Sequence, residues 1–317
     1  MLEQSPNSNT DLIYIASDDR SGSTLLDMML AGHSQITSLG EAYQLRAFAT
    51  GNRDFYPSVH ELVCFCGQSL DECSFWKKVA ENIDRPLDSL ELKPFYLRRD
   101  HKNIFNRFLK KLLWASLHFY PEIYESKAVD KLLNGPRIAR DSFELYDAAA
   151  KASGSRYILD SSKSPLRLRS LIHQDPERIK LVNLFRDPRG VVYSKSKRGL
   201  PLRKAARQWQ QKTRQMLLYS HALSPENVLN IRYEDLCHET ETEIKRICSF
   251  LDLAFEPETL KRNIHGVHHL GGSPSKYAGA DTPIVLDESY KEHLTPAQTS
   301  SILKITRNEA AKCGYTF

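Results

Sequence analysis

The sequence predicts an α/β fold, a three-layer sandwich with a central parallel sheet, because short apolar runs that suit buried strands alternate with helical patterns. The clearest run is Asp11–Ser17. A Gly-containing loop follows it, and then an apolar helix from Thr24 to near Gly32. This strand, loop and helix predict a P-loop-like phosphate-binding loop at the start of the chain.

The remaining elements are predicted on the same grounds. Three further apolar runs predict strands at 156–160, 179–185 and 227–231. Helical periodicity predicts helices at 136–154, 202–222 and 239–251. We therefore expect a single domain over residues 1–317.

Residues 52–130 interrupt the alternation of strands and helices. They are rich in aromatic residues with helical spacing, as in Ile104, Phe105 and Phe108, so we expect a helical insertion. Its basic residues suit a solvated helix face, with a membrane or an acidic partner as the alternative.

Composition narrows the class of protein. The formal net charge of +5 is too small, and its charges too mixed, for a nucleic-acid partner. No stretch approaches the roughly 18 apolar residues of a membrane span, and the polar first ten residues lack the pattern of a secretory signal. We expect a cytoplasmic protein.

Three of the six cysteines cluster at Cys64, Cys66 and Cys73. In a cytoplasmic chain they are expected to be thiols. With His60 nearby, a zinc site is conceivable, but the spacing lacks paired Cys-x-x-Cys knuckles. We therefore expect no metal.

The first chemical motif is the loop after the first strand, where backbone N–H groups and the helix dipole converge on an anion. Gly22 allows close backbone approach, Ser21, Ser23 and Thr24 supply hydroxyls, and Arg20 adds a permanent charge. The alternative is a capped turn without a ligand. Ser23 stands where nucleoside triphosphatases have Lys, so the expected ligand is not a triphosphate.

The second motif follows the predicted strand that ends at Phe185. Arg186, Ser194 and Arg198 would place two cations and a hydroxyl around another anion, with the last two residues adjacent on a helix. The alternative is a solvated basic helix with an Arg186–Asp187 pair.

Together the two motifs resemble those of the sulfotransferase family that uses 3′-phosphoadenosine 5′-phosphosulfate. The resemblance implies that residues 20–24 bind the 5′-phosphosulfate. It implies that Arg186 and Ser194, with Arg198, bind the 3′-phosphate. The product would be adenosine 3′,5′-bisphosphate, and the insertion would shape the acceptor site.

Further segments resemble the tyrosylprotein branch and bacterial members of this family. Gly40-Glu41 and the segment around Lys163 resemble its catalytic segments, and Tyr233 its adenine-binding segment. The loop 269–276, which ends at Lys276, resembles a Gly-Asn-Pro-x-Arg loop of the bacterial members. We expect it to close over the nucleotide as a lid, with an ordinary surface turn as the alternative. That branch has a second glutamate where this chain has Ala42, so a protein tyrosine is not the expected acceptor.

In that branch the second glutamate is the assigned base, and Ala42 replaces it here. We therefore assign Glu41 as general base, with Lys163 and Arg20 stabilising developing charge. Asp18, Asp19 and His33 are competing bases. The expected acceptor is a hydroxyl or amine of a small molecule or glycan. The alternatives are a P-loop kinase that holds magnesium with Asp160 and a non-catalytic nucleotide-binding module.

Overall fold

The structure is a computed structural model that describes residues 10–51, 62–93, 127–132, 134–262, 266–273, 277 and 279–317. Within these residues, five parallel strands form one sheet in the order β2-β3-β1-β4-β5. The strands are β1 (Asp11–Ser17), β2 (Ile36–Gly40), β3 (Tyr157–Asp160), β4 (Ile179–Phe185) and β5 (Val228–Arg232).

Helices lie between the strands and after the last of them. They are α1 (Ser23–Leu30), α2 (Leu45–Thr50), α3 (Ser74–Glu81), α4 (Lys127–Leu132), α5 (Gly135–Ser153), α6 (Pro165–Gln174), α7 (Pro188–Ser196), α8 (Leu202–Ser220), α9 (Tyr233–His238), α10 (Thr240–Phe250), α11 (Tyr290–His293) and α12 (Pro296–Lys312). No described helix combines the length and apolar character needed to span a bilayer.

Alternate residues of β1 face the two sides of the sheet, as the period of a strand requires. Leu12 and Tyr14 pack in a cluster with α5, α6 and α8, whereas Ile13 and Ile15 pack with α1 and α10. The predicted three-layer α/β sandwich is therefore confirmed.

The predicted strands and helices are present, with ends that move by one or two residues. Strand β2 and helices α2, α6, α9, α11 and α12 were not predicted. The predicted insertion at 52–130 falls largely outside the described residues. Its described part at 62–93 packs against the domain core, because Trp76 and Val79 of α3 join the cluster that contains α5.

Candidate functional site

The carboxyl ends of all five strands meet at one edge of the sheet, and a predicted site residue follows each of them. Parallel sheets bind ligands at this edge. The residues that follow β1, β2, β3, β4 and β5 there are, respectively, Arg20, Glu41, Lys163, Arg186 and Tyr233. The topology thus places residues from both predicted motifs and both predicted catalytic segments along a single edge.

The loop between β1 and α1 has the backbone conformation of a tight anion cradle. Arg20 has φ 72° and Gly22 has φ 90°, and α1 starts at Ser23 without a side-chain cap on its first turn. The backbone N–H groups of this first turn can therefore donate hydrogen bonds to a phosphate. A Cβ on Gly22 would lie 2.4 Å from Cδ2 of Tyr233, so glycine is required where the loop contacts the residue that follows β5.

Hydroxyl groups line the same loop. Ser21, Ser23 and Thr24 are all buried. Within the described part of the chain, the Ser21 hydroxyl has no hydrogen-bond partner. A buried hydroxyl without a partner costs free energy, so this group is available to a ligand that enters the loop.

A hydrogen bond between side chains joins the two motifs at Ser194. Arg20 Nε donates to Ser194 Oγ over 3.0 Å. Burial lowers the pKa of Arg20, and the nearby charges of Arg198 and Arg186 lower it further. Arg20 is therefore repelled by the guanidinium groups of Arg198 and Arg186, and an anion bound beside Arg20 would relieve that repulsion.

Arg186 connects the two loops in this structure. Its Nη1 donates to the Arg20 carbonyl oxygen over 2.8 Å, and its guanidinium carbon lies 4.6 Å from the centre of the Tyr233 ring. Its Nη2 donates to the Asp287 carbonyl oxygen and lies 3.2 Å from the Asp287 carboxylate. Burial alone would raise the pKa of Asp287, but Ser289 and Arg186 together lower it to about 2.

The two predicted catalytic side chains form an ion pair. Lys163 Nζ lies 2.5 Å from Glu41 Oε1. The other carboxylate oxygen accepts from Gln44 Nε2 and, over 3.3 Å, from the Tyr43 hydroxyl. Glu41 is buried, which differs from the exposed position usual for a glutamate near a helix start. These three donors occupy three of the roughly four lone-pair positions of the carboxylate, which leaves about one for a proton.

The competing bases have other partners. Asp18 pairs with Lys195 Nζ at 2.8 and 2.7 Å, and Lys212 lies 3.6 Å from both Asp18 and Asp19. Lys212 lowers the pKa of Asp19, and Lys163 adds to that shift.

His33 lies away from this edge, beyond the end of α1. Its two ring nitrogens contact the Ala254 carbonyl oxygen at 2.9 Å and the Gln35 N–H at 3.1 Å. These contacts favour a structural role for His33.

Asp160 is also occupied by protein partners. Its carboxylate accepts from Arg167, from the Tyr146 hydroxyl over 2.6 Å, and from the Ser162 N–H over 2.8 Å. Asp160 and Arg167 are fully buried. This arrangement argues against a magnesium ligand, and it orders the turn that leads to Lys163.

The C-terminal segment 266–273 lies against the first loop and the end of β2. Leu270 exchanges backbone hydrogen bonds with Leu39 and Glu41, and the Ser273 N–H donates to Thr24 Oγ1 over 3.2 Å. Arg20 Nη1 also donates to Ser273 Oγ. The predicted glycine-rich cover is thus in contact with the loop, while Lys276 lies outside the described residues.

Several residues of the site were not predicted. Asp287, Tyr43 and Gln44 contact predicted residues, yet no sequence signal singled them out. The glycine-rich segment was the one signal that led to Ser273.

The fold is a parallel α/β sandwich of the P-loop-like class, with the candidate site at the carboxyl edge of its sheet. A sequence model described as "Sulfotransferase family" matches residues 13–257. The chain belongs to the sulfotransferase family. A comparison with curated protein sequences finds no match.

Solved structures of low sequence identity share the fold. The sulfotransferase domain from the curacin biosynthetic pathway is 22% identical, with a TM-score of 0.53 and coverage of 98% of this chain and 99% of that one. The sulfotransferase domain from the Synechococcus PCC 7002 olefin synthase is 17% identical, with a TM-score of 0.56 and coverage of 100% and 99%.

Proposed function

We propose that the protein transfers a sulfuryl group from 3′-phosphoadenosine 5′-phosphosulfate to a hydroxyl or amine of an acceptor, by in-line displacement. The observation that carries this proposal is the cluster of Arg20, Arg186 and Arg198 beside the uncapped start of α1. This donor carries a 5′-phosphosulfate and a separate 3′-phosphate. It therefore supplies one anion for the start of α1 and one for the arginines. Membership of the sulfotransferase family supports the same donor.

Residues 20–24 hold the 5′-phosphosulfate in this proposal. The Ser21 hydroxyl and the first N–H groups of α1 orient the leaving phosphate. Arg186, Ser194 and Arg198 hold the 3′-phosphate. Tyr233, which packs against both Gly22 and Arg186, offers its ring to the adenine. Lys276 belongs to the segment that covers the nucleotide.

The chemical step breaks the bond between sulfur and the phosphate oxygen and forms a bond between sulfur and the acceptor oxygen or nitrogen. Glu41 accepts the proton that the acceptor loses. Lys163 leaves Glu41 and, with Arg20, stabilises the negative charge that develops on the leaving phosphate. The ion pair between Glu41 and Lys163 supports both roles, since one movement of Lys163 frees the base and delivers the cation.

No metal takes part in the proposed step, because cationic side chains occupy the positions where charge develops. A small molecule or glycan is the proposed acceptor, and the cytoplasm is the proposed location. The location is supported by six free cysteines, which are typical of a reducing compartment.

Calorimetry with two nucleotides tests the donor site. Adenosine 3′,5′-bisphosphate should bind much more tightly than 5′-AMP, and Ser194→Ala and Arg198→Ala should each erase part of the difference. A lost charged hydrogen bond costs roughly 1.5–3 kcal/mol, which is about ten- to more than a hundredfold in affinity. Arg307→Ala, an exposed change on α12, is the matched control. Equal affinity for both nucleotides would refute the proposed donor.

A further inference from the structure

Three cysteines and a histidine from distant parts of the sequence converge beside α3. The cysteines are Cys64, Cys66 and Cys73, and the histidine is His268. Backbone contacts hold the two segments together, because the Phe65 N–H donates to the His269 carbonyl oxygen over 3.2 Å. The indole N–H of Trp76 donates to the His268 carbonyl oxygen, also over 3.2 Å. The cluster is therefore built into the fold.

The distances within the cluster agree with a tetrahedral zinc site. With Zn–S bonds of about 2.3 Å and Zn–N bonds of about 2.0 Å, two sulfurs lie about 3.8 Å apart and a sulfur and a nitrogen about 3.5 Å apart. Cys64 Sγ and Cys73 Sγ are 3.8 Å apart. His268 Nδ1 lies 3.6 Å from Cys64 Sγ and 3.2 Å from Cys73 Sγ. The ligand atoms of all four residues lie within 4.8 Å of one another.

The surroundings of the cluster also suit a bound cation. Cys64 and Cys73 are buried, so the cluster is largely shielded from water. A neutral imidazole is the form that binds a metal. Metal binding would release the thiol protons, as it does at thiolate sites. The ring of Phe75 stacks on His268 at 4.8 Å and fixes its plane.

We propose that Cys64, Cys66, Cys73 and His268 bind one Zn²⁺ in a structural site. Three thiolates and one imidazole select zinc over magnesium or calcium, which prefer oxygen ligands. Four protein ligands fill the tetrahedron and leave no position for a substrate. This proposal departs from the expectation of no metal. The histidine is His268 rather than His60, which lies outside the described residues.

The position of the cluster indicates what the metal does. His268 is followed by His269 and Leu270, and Leu270 bonds to Leu39 and to Glu41 beside the ion pair with Lys163. Zinc would therefore join the segment that begins at Cys64 to the segment that lies against the end of β2. The metal would hold this edge of the site in place without touching the reacting groups.

Metal analysis of the purified full chain tests the proposal. Protein grown with zinc and dialysed against a weak chelator should retain about one zinc ion per chain, as a closed four-ligand site does. Cys66→Ser should lose most of that zinc. Cys66 is exposed, so its replacement leaves the core intact, and Cys313→Ser is the control that should keep the metal. Wild-type protein without zinc, or Cys66→Ser that retains it fully, would overturn the proposal.

Cobalt and thiol measurements give an independent result. Co²⁺ added to zinc-free protein should produce thiolate charge-transfer and tetrahedral d–d absorption bands, and zinc should abolish them. A thiol count in denaturant with chelator should find all six cysteines free. Two fewer thiols, in protein that binds no metal, would indicate a disulfide between Cys64 and Cys73 and overturn the zinc site.

Discussion

Glu41 and Lys163 follow different strands, yet their side chains form a buried ion pair at the carboxyl edge of the sheet. In the proposed reaction both groups act mainly in the transition state. Their replacement should therefore change the rate more than the binding of the donor. Arg20 should behave differently, because it contacts Ser194 and Ser273 in the proposed nucleotide site. Its replacement should weaken the binding of the donor as well as slow the reaction.

The first prediction concerns the proposed base. Glu41→Gln should reduce turnover by about 10²–10⁴, the usual range for a positioned proton acceptor, and Lys163→Ala should also depress turnover. The dissociation constant of adenosine 3′,5′-bisphosphate should change only a few fold in either variant. Turnover is measured with a radiolabelled donor and a verified acceptor, and Glu226→Gln on the surface is the control. Normal turnover in Glu41→Gln would assign the proton to another group.

A second prediction follows from the contact between Asp287 and Arg186. The Asp287 carboxylate lies 3.2 Å from a guanidinium that the proposal assigns to the 3′-phosphate, so it competes with that phosphate. Asp287→Asn should bind adenosine 3′,5′-bisphosphate several fold more tightly in calorimetry. The pKa of about 2 keeps the carboxylate ionised in the free protein. Titration of Asp287 should therefore cause no change in the affinity gain between about pH 5 and about pH 8.

Asp281→Asn provides the comparison, because Asp281 also pairs with a basic side chain, that of Lys261, but has no contact with Arg186 among the described residues. Its nucleotide affinity should equal that of the wild type. Weaker binding by Asp287→Asn would mean that the carboxylate supports the site by holding Arg186 in place.

The sequence predicts residues of the site where a motif spans a strand end, as at Arg20 and Arg186. It does not predict Asp287 or Tyr43, because their roles arise from contacts that only the folded chain creates. His268 is the clearest case, since its partners Cys64 and Cys73 lie about two hundred residues away in the sequence. The local spacing of the cysteines alone indicates no complete ligand set.

At the scale of elements, the loop before α1 and the start of α9 meet where Gly22 contacts Tyr233. Gly22 combines φ 90° with a Cβ position only 2.4 Å from the Tyr233 ring. The contact between this loop and the start of α9, which belongs to the proposed nucleotide site, thus depends on the absence of a side chain at Gly22. This close approach explains why a glycine is needed at that position of the loop.

The third prediction is that Gly22→Ala weakens nucleotide binding as well as stability, because the methyl group must displace Tyr233 or the loop. Gly154→Ala is the matched control. Gly154 also has a positive φ, of 74°, but nothing lies within 4 Å of its Cβ position. Both variants should lose roughly 1–2 kcal/mol from the left-handed conformation, measured by urea unfolding. A normal nucleotide dissociation constant in Gly22→Ala would contradict the close-contact argument.

Two elements that the sequence did not predict, β2 and α6, have polar residues at positions where an apolar pattern would be expected. Strand β2 reads Ile-Thr-Ser-Leu-Gly, and pairing with β3 holds it in the sheet despite its weak apolar pattern. Helix α6 contains Arg167 and Arg169, which are both buried. Because buried arginines break the division into an apolar and a polar face, periodicity does not identify this helix.

At the scale of the whole molecule, the alternation of strands and helices was sufficient to predict the three-layer fold. The connections across the sandwich were not predictable, because they depend on buried charges. Arg167 joins β3, α5 and the segment 62–93 through Asp160, the Tyr146 hydroxyl and the Leu92 carbonyl oxygen. Burial raises the pKa of Tyr146 well above its usual value, which keeps the hydroxyl protonated as a donor to Asp160.

The fourth prediction tests this buried network. Arg167→Met leaves the Asp160 carboxylate buried without its cation and should lower the free energy of unfolding by about 3–5 kcal/mol, the usual cost of breaking a buried ion pair. Urea denaturation measures the loss. Lys245→Met, which breaks the exposed pair with Glu241 on α10, should cost no more than about 0.5 kcal/mol. Similar losses in the two variants would mean that Asp160 finds other partners, and that the network does not join the layers of the fold.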